Sequence, residues 1–312
     1  MTAADSHRPV LLREALDGLA VTPEGAYIDA TFGRGGHAAA ILQRLGPHGR
    51  LLALDKDPQA VEVARTRFGA EPRFTMVRGS FAMLEQAAQS QGLMGQVKGL
   101  LLDLGVSSPQ LDDPRRGFSF QHDGPLDMRM DPDSGLSAAD WLARVAEREL
   151  AEVLRDLGEE RFHRRIARAI VAARADEPVR TTAQLARIVA AAVPTREKHK
   201  HPATRTFQAI RIHINRELED LHSCLEQSLR VLAPSGRLAV ISFHSLEDRI
   251  AKRFMRDQAR GRRDLPPDLP VRATETGATL RLIGKAQRPG ADELAANPRA
   301  RSAVLRVAER LA

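Results

Sequence analysis

The stretch DATFGRGGH, residues 29–37, breaks the pattern of the strand that it ends. The three residues before it, Ala26-Tyr27-Ile28, are apolar and partly β-branched, as in a buried strand. Three glycines then follow within four positions, with an arginine among them and a histidine at the end. Glycine weakens regular structure, so such a cluster indicates a turn at which the backbone approaches something closely. The stretch therefore predicts a ligand-binding loop at the end of a strand.

Strands and helices alternate on either side of this loop up to residue 110. The predicted strands are 26–31, 50–54, 73–77 and 99–104, and the predicted helices are 36–45, 58–68 and 80–90. Such alternation is typical of βαβ units and a parallel sheet.

From Ser137 to about Leu232 the pattern predicts helices alone, one of them at 204–220. Strands return at 237–243, 279–283 and 302–307, and the last two could form an antiparallel pair. The polar segments 259–275 and 286–300 are predicted to be loops. We therefore predict an α/β fold in which a helical insertion interrupts one sheet.

Composition limits the class of protein. With 312 residues, 43% of them hydrophobic and 28% charged, the chain is typical of a soluble globular protein with a core and a second domain or insertion. No apolar run is long enough to span a bilayer, and no signal-peptide pattern is present. The single cysteine, Cys224, excludes an intramolecular disulfide framework and fits a reducing cytoplasm. It lies in a leucine-rich helical stretch, so we expect it to be buried, and no metal site is expected.

Positive charge is concentrated in one stretch. The formal net charge is +7, and residues 141–216 hold sixteen lysines and arginines against nine acids, which leaves 31 of each sign elsewhere. An anionic partner explains this excess, and so do solvated helix faces.

The residues around the glycine loop indicate a nucleoside ligand. The P-loop pattern is absent, and a dinucleotide fingerprint would need glycine where Ala38 stands. Asp55 ends the second strand, in the position from which a carboxylate accepts hydrogen bonds from ribose hydroxyls. Asp57, by contrast, is the better candidate for a helix N-cap. Phe81, after the third strand, could lie against an adenine. Both NAD and S-adenosylmethionine fit these features.

Eight stretches together carry a family resemblance. They are HRPVLLREAL (7–16), DATFGRGGH (29–37), ALDKDPQA (53–60), LLDLGVSSPQLDDPRRGFSF (101–120), PLDMRMD (125–131), HPATRTFQAIRIHINREL (201–218), ISFHSLEDR (241–249) and NPRARSAVLRVAE (297–309). In this order they resemble the bacterial 16S rRNA cytosine-N4-methyltransferases, the RsmH or MraW family. The resemblance implies a Rossmann-like methyltransferase core, 1–112 and 206–312, with a mostly helical insertion at 113–205 that recognises the substrate.

The resemblance also implies an activity and a cofactor. Such enzymes transfer methyl from S-adenosylmethionine to the exocyclic N4 of a cytidine in the decoding centre of the 16S rRNA, within the small ribosomal subunit. No metal and no membrane is involved. The cofactor-binding residues that it implies are Gly35, Gly36, His37, Asp55, Phe81, Asp103 and Gln110.

The chemistry needs little more than positioning, because the sulfonium methyl is already electrophilic. Cytosine N4 is a poor nucleophile, and an acceptor for one of its protons favours its reactive form. Asp103 and the turn Ser107-Ser108-Pro109, after the fourth strand, are expected to orient this amine. They stand where other amino-methyltransferases carry [DNS]PP[YFW], but the second proline and the aromatic residue are absent.

Other assignments remain open at this stage. His37 could instead cap the helix that follows it. Lys198, Lys200 and Arg205 are expected to contact RNA phosphates. The whole chain could alternatively be an NAD-dependent oxidoreductase or a non-catalytic RNA-binding protein. The oligomeric state is left open, with a homodimer as one option.

Overall fold

The computed structural model describes residues 9–194, 201–261 and 277–312. Its contacts divide the chain into two units: Met1–Gly105 with Leu218–Ala312, and Val106–Glu217. The insertion in this division is longer than the predicted 113–205 at both ends. Val106 and Leu111 pack against the core of the second unit, and so do Ala209 and Ile210, which explains the difference.

The described residues of the first unit contain one sheet of seven strands. They are β1 (Ala26–Asp29), β2 (Arg50–Asp55), β3 (Phe74–Arg78), β4 (Val97–Asp103), β5 (Leu232–Ser242), β6 (Leu280–Gln287) and β7 (Val304–Arg310). Their order is β3-β2-β1-β4-β5-β7-β6. The first five are parallel, whereas β7 runs antiparallel to both β5 and β6. The predicted α/β sheet with a late antiparallel pair is confirmed.

Thirteen α-helices lie in the part of the chain that the structure describes. They are α1 (Leu12–Leu19), α2 (Gly36–Arg44), α3 (Pro58–Phe68), α4 (Leu84–Ser90), α5 (Ser108–Asp112), α6 (Ala138–Arg144), α7 (Glu147–Gly158), α8 (His163–Asp176), α9 (Thr182–Ala192), α10 (Thr204–Asn215), α11 (Glu217–Val231), α12 (Ser245–Arg260) and α13 (Ala291–Ala296). In the described residues, no helix has both the length and the apolarity needed to cross a bilayer.

Alternating side chains along the central strands pack on the two faces of the sheet. Ile28 and Leu100 belong to the core on one face, together with the buried Cys224. Tyr27 and Leu101 belong to the core on the other face. Because both faces are covered, the carboxyl ends of the parallel strands form the edge at which polar side chains gather.

Helices form the second unit, where an isolated bridge joins Pro125 to Thr181. Helix α10 packs against α7 so closely that a Cβ at Gly158 would lie 2.8 Å from the Arg205 carbonyl oxygen. The predicted single helix 204–220 is wrong. Arg216 has a left-handed backbone (φ 53°), which ends α10 before α11 begins.

Two further predictions of secondary structure differ from the structure. Residues 286–300 are not all loop, because they contain α13 and the start of a 3-10 helix, Pro298–Ser302. These helices of six and five residues are too short to show a clear apolar period. Strand β5 begins at Leu232 rather than 237, because Leu232 pairs with Val97 before a register shift. Most of the other predicted loop, 259–275, lies outside the described residues.

Candidate active site

The glycine loop joins β1 to α2, and the structure shows why each of its three positions requires a glycine. Gly33 and Gly35 have left-handed backbones (φ 56° and 73°), which a residue with a side chain rarely adopts. A Cβ at Gly35 would lie 2.6 Å from the Phe32 ring, and one at Gly36 would lie 2.3 Å from Pro9 Cγ. The glycines therefore let the loop turn tightly over its own side chains.

The start of α2 presents backbone N–H groups at this loop. Gly35 is the N-cap residue, no side chain caps the helix, and its first turn contains no acidic residue. Uncapped N–H groups and the helix dipole together favour an anion at such a position.

His37, the second residue of α2, lies beside Asp103 instead of capping the helix. Its Nε2 is 3.2 Å from the Val10 carbonyl oxygen, which can only accept, so the ring proton belongs on Nε2. The other nitrogen, Nδ1, then carries a lone pair 3.5 Å from Asp103 Oδ2. Burial lowers the pKa of His37 to about 4, so the ring is neutral at pH 7. The capping alternative for His37 is therefore wrong.

Two buried carboxyl groups lie at the carboxyl ends of β1 and β4. Asp29 is only 1% exposed, and burial is the main cause that raises its pKa to about 7. Burial also raises the pKa of Asp103 well above its ordinary value, with further contributions from the charges of Asp29 and Glu247. Asp29 Oδ2 and Asp103 Oδ1 are buried atoms with no hydrogen-bond partner among the described residues. The Asp103 side chain is 24% exposed, so it is the member of this pair that a ligand can reach.

Thr31 connects these two strand ends. Its hydroxyl oxygen accepts from the Asp103 backbone N at 2.6 Å, and its own backbone N donates to Asp29 Oδ1 at 3.2 Å. No role for Asp29 or Thr31 is predicted from the sequence. Asp29 lies inside the predicted strand 26–31, whereas β1 ends at Asp29 in the structure.

Asp55, at the end of β2, holds the glycine loop in place. Its Oδ2 accepts from Gly33 N (2.8 Å) and its Oδ1 from Asp57 N (2.9 Å). Burial raises its pKa. Asp57 caps α3 through Gln59 N, as predicted. Each oxygen of Asp55 keeps a second lone pair with which it can accept from a ligand hydroxyl.

Phe81 follows β3 in a 3-10 helix, Phe81–Met83, and packs partly buried against the core. Lys56 Nζ lies 5.9 Å from its ring centroid and 3.0 Å from Asp220 Oδ2. The Ser80 hydroxyl also donates to Asp220 Oδ2, at 2.5 Å. Phe81 and Asp55 therefore follow the ends of two neighbouring strands. The contacts among Lys56, Ser80 and Asp220 were not predicted from the sequence.

A second group of side chains that was not predicted from the sequence follows β5. Glu247 in α12 is 2% exposed, and its Oε2 accepts from the backbone N of Phe243 (2.8 Å) and of His244 (3.2 Å). His244 Nε2 lies 3.0 Å from Glu247 Oε1, but the angles are not those of a hydrogen bond. We therefore treat this contact as electrostatic. The S-x-x-E-like spacing of His244 and Glu247 was a readable capping-box signal.

The remaining predicted residues belong to the second unit or lie outside the description. Ser107 and Gln110 form a capping box at the start of α5, in which Ser107 N donates to Gln110 Oε1 at 2.8 Å. Ser108 and Pro109 are the first residues of that helix. Arg205, in the first turn of α10, donates to the Glu159 carbonyl oxygen at 3.4 Å. Lys198 and Lys200 lie outside the described residues.

Across the described ranges, no cluster of three or more His, Cys, Asp or Glu side chains has the arrangement needed to hold a metal ion.

A model of the MraW methylase family matches residues 4–311. The chain belongs to the MraW methylase family. The chain is 64% identical over 310 residues to the ribosomal RNA small subunit methyltransferase H of Thioalkalivibrio sulfidiphilus, covering 99% of this chain and 98% of that protein. It is 59% identical to the protein of the same name from Chromohalobacter salexigens, covering 99% and 93% respectively.

Among solved structures, a putative rRNA-methylase from Clostridium thermocellum is similar over 98% of both chains, with a TM-score of 0.45 and 10% identity. A likeness at that level is no evidence of function. The family membership of this MraW methylase rests on the sequence matches.

Asp29→Asn tests whether the buried acid makes stability depend on pH. A carboxyl group whose pKa is about 7 in the folded chain and 3.8 in the unfolded chain stabilises the fold fully below about pH 4. This stabilisation is lost as the pH rises through about 7, by up to about 1.4 kcal/mol for each pH unit. The unfolding free energy of the cofactor-free variant, measured in urea, should therefore fall less than that of wild type between about pH 5 and about pH 8.

The matched control is Asp17→Asn, because Asp17 in α1 has a side chain that is 61% exposed. Its pH profile should follow wild type. Parallel profiles for wild type and Asp29→Asn would show that Asp29 ionises normally in the fold.

Proposed function

We propose that the chain uses S-adenosylmethionine to methylate the exocyclic N4 of a cytidine in the decoding centre of the 16S rRNA, within the small ribosomal subunit in the cytoplasm. The observation that carries the proposal is the placement of Asp103. Its carboxyl group ends β4 and lies beside the glycine loop of a methylase family member, and one of its oxygens is buried without a hydrogen-bond partner among the residues that the structure describes. The two relatives described above carry a name that specifies small-subunit rRNA, which supports the substrate class.

The residues of the first unit fit the parts of this cofactor. The N–H groups at Gly36 and His37 suit its carboxylate. The unpartnered oxygens of Asp29 and Asp103 suit its ammonium group, because a cation offsets the cost of burying ionised carboxyl groups. Asp55 can accept from ribose hydroxyls, and Phe81 can border the adenine.

When bound, the cofactor supplies a methyl group on a sulfonium, which is electrophilic without activation. The chain's contribution is to orient the amine and to accept charge from it. The partly exposed carboxyl group of Asp103 is the acceptor that we assign to one N4 proton, which favours the nucleophilic form of the amine as its charge develops. His37 borders the Asp103 side chain with a neutral ring that is itself fixed through Val10.

The turn Ser107-Ser108-Pro109 contributes rigidity in this proposal. The capping box between Ser107 and Gln110 fixes the backbone a few residues after Asp103. Gln110 contributes to this rigidity through the turn, because its side chain is buried and therefore held in one position. The target base must leave its stack to reach the methyl group, which suits an unpaired rRNA nucleotide. Lys198, Lys200 and Arg205 remain our candidates for contacts with the RNA backbone.

Asp55→Ala tests the cofactor site. The variant should bind S-adenosylmethionine about 1.5–3 kcal/mol more weakly, as expected for the loss of charge-assisted hydrogen bonds, when measured by calorimetry. Glu62→Ala is the control, because Glu62 is an exposed acid on the neighbouring α3. Wild-type affinity in a folded Asp55→Ala protein would remove Asp55 from the site.

Product mapping with Asp103→Asn tests the reaction itself. Wild type, labelled S-adenosylmethionine and small subunits that lack the mark should give label on N4 of one decoding-centre cytidine. Asp103→Asn keeps the shape but removes the charge, so single-turnover methylation should slow far more than RNA binding weakens. Label at another nucleotide or atom would refute the proposed target. Equal single-turnover rates for both proteins would refute the role of Asp103.

A further inference from the structure

Four exposed arginines lie along one side of α8 and the turn before it. They are Arg161, Arg164, Arg165 and Arg168, called the arginine strip below. The opposite side of the helix, with Ile166, Ala167 and Ile170, is buried in the core of the second unit. Residues four apart on a helix stand about 5–6 Å apart, so the strip presents guanidinium groups one turn after another.

The strip is hardly neutralised within the described part of the chain. Arg168 lies 3.7 Å from Glu147, in an exposed pair of the kind that contributes little. Arg161 lies over the Phe162 ring at 5.5 Å, which leaves its charge in place. Arg164 and Arg165 have no ion pair or hydrogen bond with any described residue.

Helix α7, in the same unit, shows the contrasting arrangement. Arg148 donates to Glu152 at 3.1 Å, and Arg155 donates to Asp156 at 2.7 Å. Both arginines are exposed, as those of the strip are. Exposure alone therefore does not explain why the strip has so few acidic neighbours.

The position of the strip opposes the stability of α8. Like charges four residues apart repel, as Arg164 and Arg168 do. The first turn of α8 contains basic residues and no acidic one, although this end of a helix carries partial positive charge. A bound polyanion would reverse both effects.

Arg205 extends the basic surface toward α10. Its guanidinium donates to the carbonyl oxygen of Glu159, two residues before Arg161. Two residues span at most about 7 Å of chain, so Arg205 joins the end of the strip.

We propose that the arginine strip binds the phosphate backbone of the rRNA substrate. This inference rests on the proposed function, because it takes rRNA as the substrate. The planar guanidinium of arginine matches a phosphate with two parallel hydrogen bonds. The exposed large apolar side chains of the described residues are Met83, Leu136 and Leu282, and α8 contains none of them. A protein partner would need apolar anchors at the centre of its interface, so the surface suits an RNA strand better.

The test compares two double variants that each remove two positive charges from the second unit. Arg164→Ala/Arg165→Ala removes unpaired strip arginines, and the control Arg148→Ala/Arg155→Ala removes paired ones. Binding to unmethylated small subunits and to protein-free 16S rRNA is measured over a range of salt concentrations. The strip variant should bind both about 10-fold more weakly at low salt and lose up to about 1.5–2 units of salt slope, while the control stays close to wild type. Affinity for S-adenosylmethionine should be unchanged in both.

Each contrary outcome has a separate meaning. Equal affinities and slopes for the two double variants would overturn the proposal and make the strip a solvated helix face. A loss seen with subunits but not with protein-free rRNA would overturn it in favour of a ribosomal protein partner. If wild type methylates no rRNA but its RNA binding still depends on Arg164 and Arg165, the proposed function fails and the strip stands. If methylation is normal and the strip variant binds as wild type, the strip fails and the proposed function stands.

Discussion

Two carboxyl groups at the strand ends, each with a buried oxygen that no described residue satisfies, are the constraint around which the first unit is organised. In the described part of the chain, one oxygen each of Asp29 and Asp103 is buried without a hydrogen-bond partner, and burial raises the pKa of both. His37 does not neutralise them, because its proton is directed to Val10 and burial keeps its ring uncharged. Such an arrangement lowers the stability of the cofactor-free protein, and a bound cation would offset this loss of stability. This is the observation on which our proposal of a bound cation rests.

The fold makes this arrangement by simple geometry. Parallel strands β1, β2 and β4 end at the same edge of the sheet, and each ends in an aspartate. Apolar cores on both faces exclude water from beneath that edge. The glycine loop then turns back over it, held by hydrogen bonds from Gly33 to Asp55 and from Asp103 to Thr31. Binding groups and loop are thus fixed by the same few contacts.

Local patterns predicted the sheet, the glycine loop and an acidic side chain, Asp55, at the end of the second strand, because strand and turn signals lie close together in the sequence. The proposed role of Asp103 came from the family resemblance. The contacts that these local patterns did not predict depend on long-range packing. Glu247 comes near Asp103 only because β5 lies beside β4, and Asp220 reaches Lys56 only through the return of α11 to the first unit. The boundary at 217–218 depends on Arg216, whose left-handed backbone no propensity indicates. Short helices such as α13 have too few residues for a periodic signal.

The most direct test of this account is the proton balance of cofactor binding. S-adenosylmethionine is titrated into the protein by calorimetry at about pH 6.5, in two buffers with different ionisation enthalpies. If a cation binds beside Asp29 and Asp103, the pKa values of both acids fall and protons are released to the buffer. The apparent binding enthalpies in the two buffers should then differ, in the direction that corresponds to a net release of protons. Binding of the cofactor to the Asp29→Asn variant should release fewer protons. Identical apparent enthalpies in the two buffers would mean that no proton leaves, and would contradict the role assigned to the buried acids.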